Sequence, residues 1–415
     1  MELNNLLKCL DINIDTDLII NGIKTNSKEV VKNDLFLAIN KGHLYIEEAI
    51  NNGAVAVISE NSKHYDVLTV HVDSTKEALK KIASYLRSLY KIPLIAITGS
   101  TGKTTTKDLI SLILSKKYNV LKSEKNNNND IGLPLTLLNL NEKYDVIVTE
   151  MGMNHFGEIK ELSNIAKPDY AVITNIGSAH IGNLGSRENI LKAKLEILDG
   201  MNNGLLLLNK KDKYLKKIKY KNKIYVDSKK IKVKKIKYLS DYIKFRINKT
   251  EFKFNTPFKH VLPDLFLAIQ IGMIFGVDLN LISSALCEYK FENGRLNIIN
   301  DKYTIIDDSY NSSYEALAGA LSKLKKEKKY KFIILGDILE LGVYSCKYHK
   351  KINKYLKKIK NKKVLLVGEY TKKIDGIHFS NIDEINEYLS KYLIDGCLVY
   401  IKGSRKMNLD KIKIQ

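Results

Sequence analysis

Arginine is scarce in this chain of 415 residues. Only Arg87, Arg187, Arg246, Arg295 and Arg405 occur, although Lys and Arg together number 68 against 46 Asp and Glu, a net charge of +22 with pI near 9.4. A surface built to read phosphates or bases relies on the bidentate guanidinium fork. A nearly all-lysine excess reads instead as solvated faces, so the charge alone argues poorly for a nucleic-acid partner. Paired cysteines are missing too. Cys9, Cys287, Cys346 and Cys397 are scattered, with no CxxC or metal-like spacing, which argues against a disulfide framework and a zinc site. No apolar run approaches the ~18 residues of a membrane span. The start, MELNNLLKCLDINID, lacks the basic-then-apolar order of a signal peptide. The expectation is a soluble, cytoplasmic, monomeric protein with no membrane insertion and no nucleic acid. Low-complexity tails and short repeats are also lacking.

What is present is a repeated α/β pattern. Hydrophobic residues make up 44% and charged residues 27%, ordinary values for a folded chain of this length. Residues 1–88 alternate short strands (Leu35–Ile39, Ala54–Ser59, Val67–Val72) with helices over Tyr45–Asn52 and Thr75–Tyr90. Residues 89–293 open with the apolar strand Leu94–Thr98, then a helix over Thr105–Leu114 and buried strands at Val146–Thr149 and Ala171–Thr174. Strands alternating with helices argue for a mostly parallel sheet. Between about 210 and 250, lysines alternate with Ile, Tyr and Val, as in antiparallel or edge strands with Lys outward. Residues 294–415 repeat the pattern, with strands at Tyr303–Asp307, Phe332–Leu335, Val364–Val367 and Leu398–Ile401. The fold class is α/β in three domains, the central one an ATPase with a phosphate loop and the last Rossmann-like.

The sharpest motif is Thr98–Thr105, TGSTGKTT. It follows a buried strand and opens a helix, the context a phosphate loop requires. Gly99 and Gly102 let the backbone of Ser100 and Thr101 curl so that N–H groups face phosphate oxygens, and the helix start adds a positive dipole end. Lys103 reaches the β- and γ-phosphates, Thr104 offers a hydroxyl to Mg²⁺, and Thr105 follows in the first turn. The strict pattern would place glycine at Ile97, so this is a variant loop. It indicates a nucleoside triphosphate without stating the reaction. Glu150 ends a neighbouring strand, where a carboxylate can share Mg²⁺ with Thr104.

Several further segments accompany the loop. They read TEMGMNHFGEI (149–159), NNNNDIGLPLTLL (126–138), NIGSAHIGNLGS through AKLEI (175–197), DDSYN (307–311), LGDILELG (335–342) and IKGSRKM (401–407). In this order the chain resembles the Mur ligases, the ATP-dependent amide-bond ligases of peptidoglycan precursor synthesis, over nearly its whole length. The EMG and LGDxxELG segments are similar to the branch that joins D-alanyl-D-alanine to UDP-MurNAc-tripeptide. The resemblance implies activation of a peptide carboxylate as an acyl phosphate, followed by attack of an amine. It implies ATP and two Mg²⁺ sites, with Lys103, Glu150, His180 and Lys194 as catalytic residues. Thr104, Glu150, His180 and Lys194 would be the metal ligands, Lys194 as a carbamate formed with CO₂. Read from the residues alone, Lys194 is one helix lysine among many and His180 a loop histidine.

The same resemblance implies ATP contacts at Arg295, Asp308, Tyr310 and Asn311. It implies acceptor or carboxylate contacts at Asn128, Asn129, Arg187, His349 and Arg405. UDP contacts would fall at Ser27 and Lys28 in the N-terminal domain, where Asn26 and Lys28 depart from the family's Asp and Arg. Val261 and Asp264 likewise replace two asparagines after His260. A different Mur ligase, a polyglutamate-adding enzyme, or a phosphate-loop ATPase acting on nucleic acid are the competing readings.

Overall fold

The computed structural model describes residues 1–124 and 126–414. Four sheets organise it. The first has four parallel strands in sequence order, Ile23–Lys24, Asp34–Leu37, Ala54–Ser59 and Leu68–His71. Helix Thr75–Leu89 follows, started by Ser74, whose Oγ accepts from the Glu77 N–H. Its apolar stripe (Ala78, Leu79, Ile82, Leu86) is buried against that sheet. The opposite side touches helices Gly132–Leu137 and Glu158–Ala166 of the next layer. Near its end Arg87, 8% exposed, donates to the carbonyls of Ala166 and Tyr90 and pairs with Asp169 at 3.2 Å. This arginine clamps two layers together.

The second sheet has six parallel strands. Leu94–Thr98 is central, between Val146–Glu150 and Tyr170–Ile173; beyond them lie Val120–Lys122 on one side and Leu205–Asn209 and Lys223–Val226 on the other. All five residues of Leu94–Thr98 are buried, which explains its unbroken apolar sequence. Three adjacent strands therefore end side by side, and their C-terminal ends deliver Gly99–Gly102, Glu150 and Thr174–Asn175 to one edge. That is where open α/β sheets bind ligands.

A three-stranded antiparallel sheet, Val233–Tyr238, Ile243–Ile247 and Thr250–Phe254, covers part of the lysine-rich stretch. Ile243, Phe245, Ile247, Phe252 and Phe254 point inward, and Phe245 stacks on Phe252 with centroids 5.1 Å apart. Lys237, Lys244 and Lys253 align across the three strands on the other face. The lysine-outward expectation holds here. Lys223–Val226, in contrast, is a parallel edge strand of the six-stranded sheet.

The fourth sheet runs Asn297–Asn300, Thr304–Asp307, Leu398–Lys402, Lys331–Gly336, Lys362–Val367, Ile377–Phe379, parallel except for the first strand. The last-formed strand, Leu398–Lys402, inserts between the second and fourth. The chain reverses its direction of spread there, and Asp308, Asp337 and Lys402–Arg405 lie at that crevice. Two helical expectations shift. The phosphate-loop helix begins at Lys103 rather than Thr105, because Gly102 at φ 79° turns the chain directly into it. The expected helix over 45–52 is found as Ile46–Asn51, one residue shorter at each end, preceded by a 3₁₀ stretch, Asn40–Tyr45. Among the described residues no helix is long and apolar enough to cross a membrane.

Candidate active site

The loop after Leu94–Thr98 is held from the neighbouring strand end. Ser100 N–H donates to the Asn175 carbonyl at 3.0 Å, and Thr101 N–H to Asn175 Oδ1 at 3.1 Å. Thr174 Oγ1 and Asn175 Nδ2 return bonds to the Thr101 carbonyl at 2.6 and 2.9 Å. Thr98 is fully buried below. Lys103 Nζ folds back to the Gly99 carbonyl at 3.1 Å. Only glycine fits at 102, since a Cβ there would overlap the Asp264 carboxyl. That carboxyl is buried, its Oδ1 has no partner, and burial pushes it up to about 8. His260, also buried, is pushed down to about 4.

Thr104 Oγ1 donates to Glu150 Oε2 at 2.8 Å, while Asn128 Nδ2 donates to Glu150 Oε1 at 2.7 Å. Glu150 N–H in turn donates to Ser123 Oγ at 3.1 Å, and Lys107 Nζ holds the Ser123 carbonyl at 2.8 Å. Lys194, from helix Arg187–Leu195, is fully buried beneath this wall. Burial first, then the Lys103 charge, hold its ammonium well below the ordinary lysine range, with Glu150 opposing. Among the described residues it makes no hydrogen bond or ion pair. Lys103, Thr104, Glu150 and Lys194 thus form one group.

His180 is the fifth member, 2.9 Å through Nδ1 from Glu340 Oε2 of the LGDILELG segment. The approach is off the ring N–H axis, so it is an ion-pair contact rather than a straight hydrogen bond. Contact with His180 holds Glu340 below the usual carboxylate range, against its own burial. Thr104 and Glu150 supply the oxygen donors that suit a hard divalent cation. Among the described residues no three His, Cys, Asp or Glu side chains converge into a cage. That agrees with Mg²⁺, which keeps waters and takes ligands from nucleotide phosphates.

A cavity of about 430 Å³ opens over this group. Its far wall is the crevice of the fourth sheet, with Asp308, Tyr310, Asn311 and Lys402. Asp308 is already engaged: Lys402 Nζ lies 2.6 Å and Tyr400 Oη 3.0 Å from its carboxylate. Lys402 Nζ also reaches the Asn311 carbonyl at 3.1 Å. Arg295 and Arg405 both stack on Tyr310, with guanidinium carbons 4.0 and 5.4 Å from the ring centroid. A neighbouring cavity of about 360 Å³ shares Lys103, Asn128, His180 and Asn311 and adds Asn129.

Some expected contacts take a different form. His349 is 0% exposed and its ring is consumed internally: Nε2 accepts from the Ile338 N–H at 3.0 Å, and Nδ1 lies 2.8 Å from the Ser345 carbonyl. It supports the 337–342 loop and cannot touch a substrate. Arg187 is paired with Glu315 of the third domain, which also accepts from Ser178. Asn129 Oδ1 accepts from the Gly132 N–H and shapes a turn. Ser27 faces inward and donates to Glu48, whereas Lys28 is exposed. A separate cavity of about 770 Å³ lies between the first two sheets, lined by Thr25, Asn26, Lys24, Lys122 and Asn127. Sequence reasoning missed Asn175, Glu315, Lys107 and Glu340 as parts of the site.

Residues 97–274 match the Mur ligase middle domain and residues 294–405 the Mur ligase, glutamate ligase domain. The chain is 35% identical to the UDP-N-acetylmuramoyl-tripeptide–D-alanyl-D-alanine ligase of Rickettsia prowazekii, over 97% of this chain and 96% of that one. It is 32% identical to the enzyme of the same name from Bacillus subtilis, over 95% and 92%. Among solved structures it is similar to MurF from Acinetobacter baumannii (TM-score 0.87, 26% identity, 99% and 97% covered). It is also similar to MurF ligase from Thermotoga maritima in complex with ADP (TM-score 0.83, 27% identity, 96% and 97% covered). With relatives matched end to end and the phosphate loop, carboxylate and buried lysine in one cluster, the chain belongs to the Mur ligase family, among its UDP-N-acetylmuramoyl-tripeptide–D-alanyl-D-alanine ligases.

Proposed function

We propose that this protein joins D-alanyl-D-alanine to UDP-MurNAc-tripeptide, with ATP converted to ADP and phosphate, in peptidoglycan precursor synthesis. The observation that carries the reading is the cavity walled on one side by Lys103, Thr104, Glu150 and His180 and on the other by the third domain. The peptide carboxylate attacks the γ-phosphorus and ADP leaves. The dipeptide amine then attacks the acyl carbon, loses a proton, and phosphate departs.

Two anions must meet in the first step, so positive charge has to be concentrated there. The N–H groups of residues 99–104 and the Lys103 ammonium receive the phosphates. Thr104 and Glu150 would hold Mg²⁺, which neutralises phosphate charge when bound. His180 and Lys194 would hold a second ion. Burial favours the neutral amine of Lys194, the form that adds to CO₂ to give a carbamate and release a proton. Asn128 orients Glu150. Arg295, Tyr310 and Asn311 face the nucleotide, and Asp308 acts through its pair with Lys402. Arg405, exposed beside the cavity, suits the acceptor carboxylate. Arg187 and His349 act by holding the third domain and its 337–342 loop. The UDP end enters the cavity beside Asn26, near Lys28.

Domain limits at 88/89 and 293/294 fit this division of labour. The protein is proposed to work as a monomer in the cytoplasm. The test is ADP release with and without D-alanyl-D-alanine. Release should require both the UDP-sugar peptide and the dipeptide. Equal turnover without the dipeptide, or stimulation by DNA instead, would sink the reading.

A further inference from the structure

Two residues that meet across a domain interface share an uncommon backbone state. His180 has φ 62° and Glu340 has φ 66°. Asparagine, aspartate and histidine enter this left-handed region more often than other side chains do; for a glutamate it is uncommon and is kept only where the surroundings over-determine it, as at functional sites. Here the surroundings are visible. The Gly182 N–H donates to the Glu340 carbonyl at 3.0 Å. Gly182 and Gly342 pack backbone to backbone, so that a Cβ on Gly182 would lie 2.6 Å from the Gly342 nitrogen. Tyr344 Oη donates to the Gly185 carbonyl at 2.8 Å. These contacts tie the turn after His180 to the turn after Glu340. They leave the Glu340 carboxylate 2.9 Å from His180 Nδ1. The other ring nitrogen, Nε2, makes no hydrogen bond among the described residues, and His180 lines both cavities of the site.

We infer that Glu340 is a positioning residue that the third domain contributes to the metal site of the second. A small turn of the ring from the observed contact lets this carboxylate take the Nδ1–H of His180 and fix the tautomer whose lone pair is on Nε2, the atom left to face a divalent cation. Histidine ligands commonly donate their second ring N–H to a carboxylate, which sets ring orientation and raises basicity. What is particular here is the origin of that carboxylate, about 160 residues away on the domain that also holds Arg405 and Lys402 (340 against 180 in the numbering). Cation binding at His180 is thereby linked to docking of the third domain. The inference rests on the proposed ligase reading, in which His180 is a metal ligand.

The test is Mn²⁺ titration of the full chain with a non-hydrolysable ATP analogue, free Mn²⁺ being read by electron paramagnetic resonance. Glu340→Ala should weaken the His180 site about 10- to 100-fold. His180→Ala should lose the same site, and the double variant should be no weaker than His180→Ala alone. Glu340→Gln keeps an accepting oxygen and should retain most of the affinity. Unchanged Mn²⁺ affinity in Glu340→Ala, or additive losses in the double variant, would overturn the inference. A reading independent of any folding defect is the ¹⁵N shift of His180 in the unmodified chain, assigned by its loss in His180→Asn. The Nδ1–H tautomer is expected, and the Nε2–H tautomer would refute the role. Ligation by the unmodified chain tests the proposed function separately, since it does not depend on these outcomes.

Discussion

Asp264 should make the protein less stable as pH rises through neutrality. Its carboxyl lies against Gly102 of the phosphate loop, 6% exposed and with Oδ1 unpartnered. Burial moves it from 3.8 to about 8. The folded chain therefore keeps a proton that the unfolded chain has already lost. For an acid raised in this way, the cost is absent below about pH 4, grows until about pH 8, and is constant above. Each pH unit inside that window costs about 1.4 kcal/mol for one proton. Between pH 6.5 and 8, allowing for half-titration at the upper end, the loss is about 1.5 kcal/mol. His260, near 4 when folded and near 6.5 when unfolded, still titrates at the lower edge of this window, but it does so in parent and variant alike and drops out of their difference. Asp264→Asn keeps the shape and removes the charge. Urea unfolding followed by circular dichroism at the two pH values should show the variant gaining on the parent by that amount. A gap that stays constant with pH would refute the argument, because an Asp ionised in both states contributes no such slope.

Three other outcomes follow from the same geometry. Lys402→Ala would strand the buried Asp308 carboxylate and should cost about 3–5 kcal/mol; a change under about 1 kcal/mol in chemical denaturation would show that the pair is dispensable. Lys194→Ala should abolish ligation, with partial recovery on adding short carboxylates, and full activity without them would remove the carbamate. Glu315→Ala frees Arg187 and removes the acceptor for both Ser178 donors, so small-angle scattering should report a larger radius of gyration for the ligand-free chain; an unchanged radius would mean the remaining contacts hold the domain unaided.

Much of this was legible in the chain itself. Leu94–Thr98 and Ala54–Ser59 are read correctly end to end, because a fully buried strand has no polar interruption to blur it. The phosphate loop was legible because its geometry demands glycine at fixed places. Helix Ile46–Asn51 was placed to within one residue at each end, but the 3₁₀ stretch Asn40–Tyr45 before it was not read. The site was only half legible. Glu150 ends a strand and Thr104 sits in the first turn of the helix after the phosphate loop, places that sequence can mark. Glu315, Asn175 and Glu340 matter through partners in other segments, and no periodicity reports such pairings. His349 shows the converse: a histidine near a motif looked like a contact, and burial made it a brace.

Arg87 has a mechanical consequence. It ties the N-terminal layer, which has its own apolar core, to the central one, while the third domain shares a continuous apolar core with the central domain as well as polar pairs. The span from the cavity beside Asn26 to the phosphate loop is then a ruler of constant length, with residues 126–129 lying along it. A peptide anchored by its nucleotide at one end presents its carboxylate at the other only if it has the right number of residues. With the nucleotide end beside Asn26, as proposed, that span would select chain length rather than side-chain identity alone.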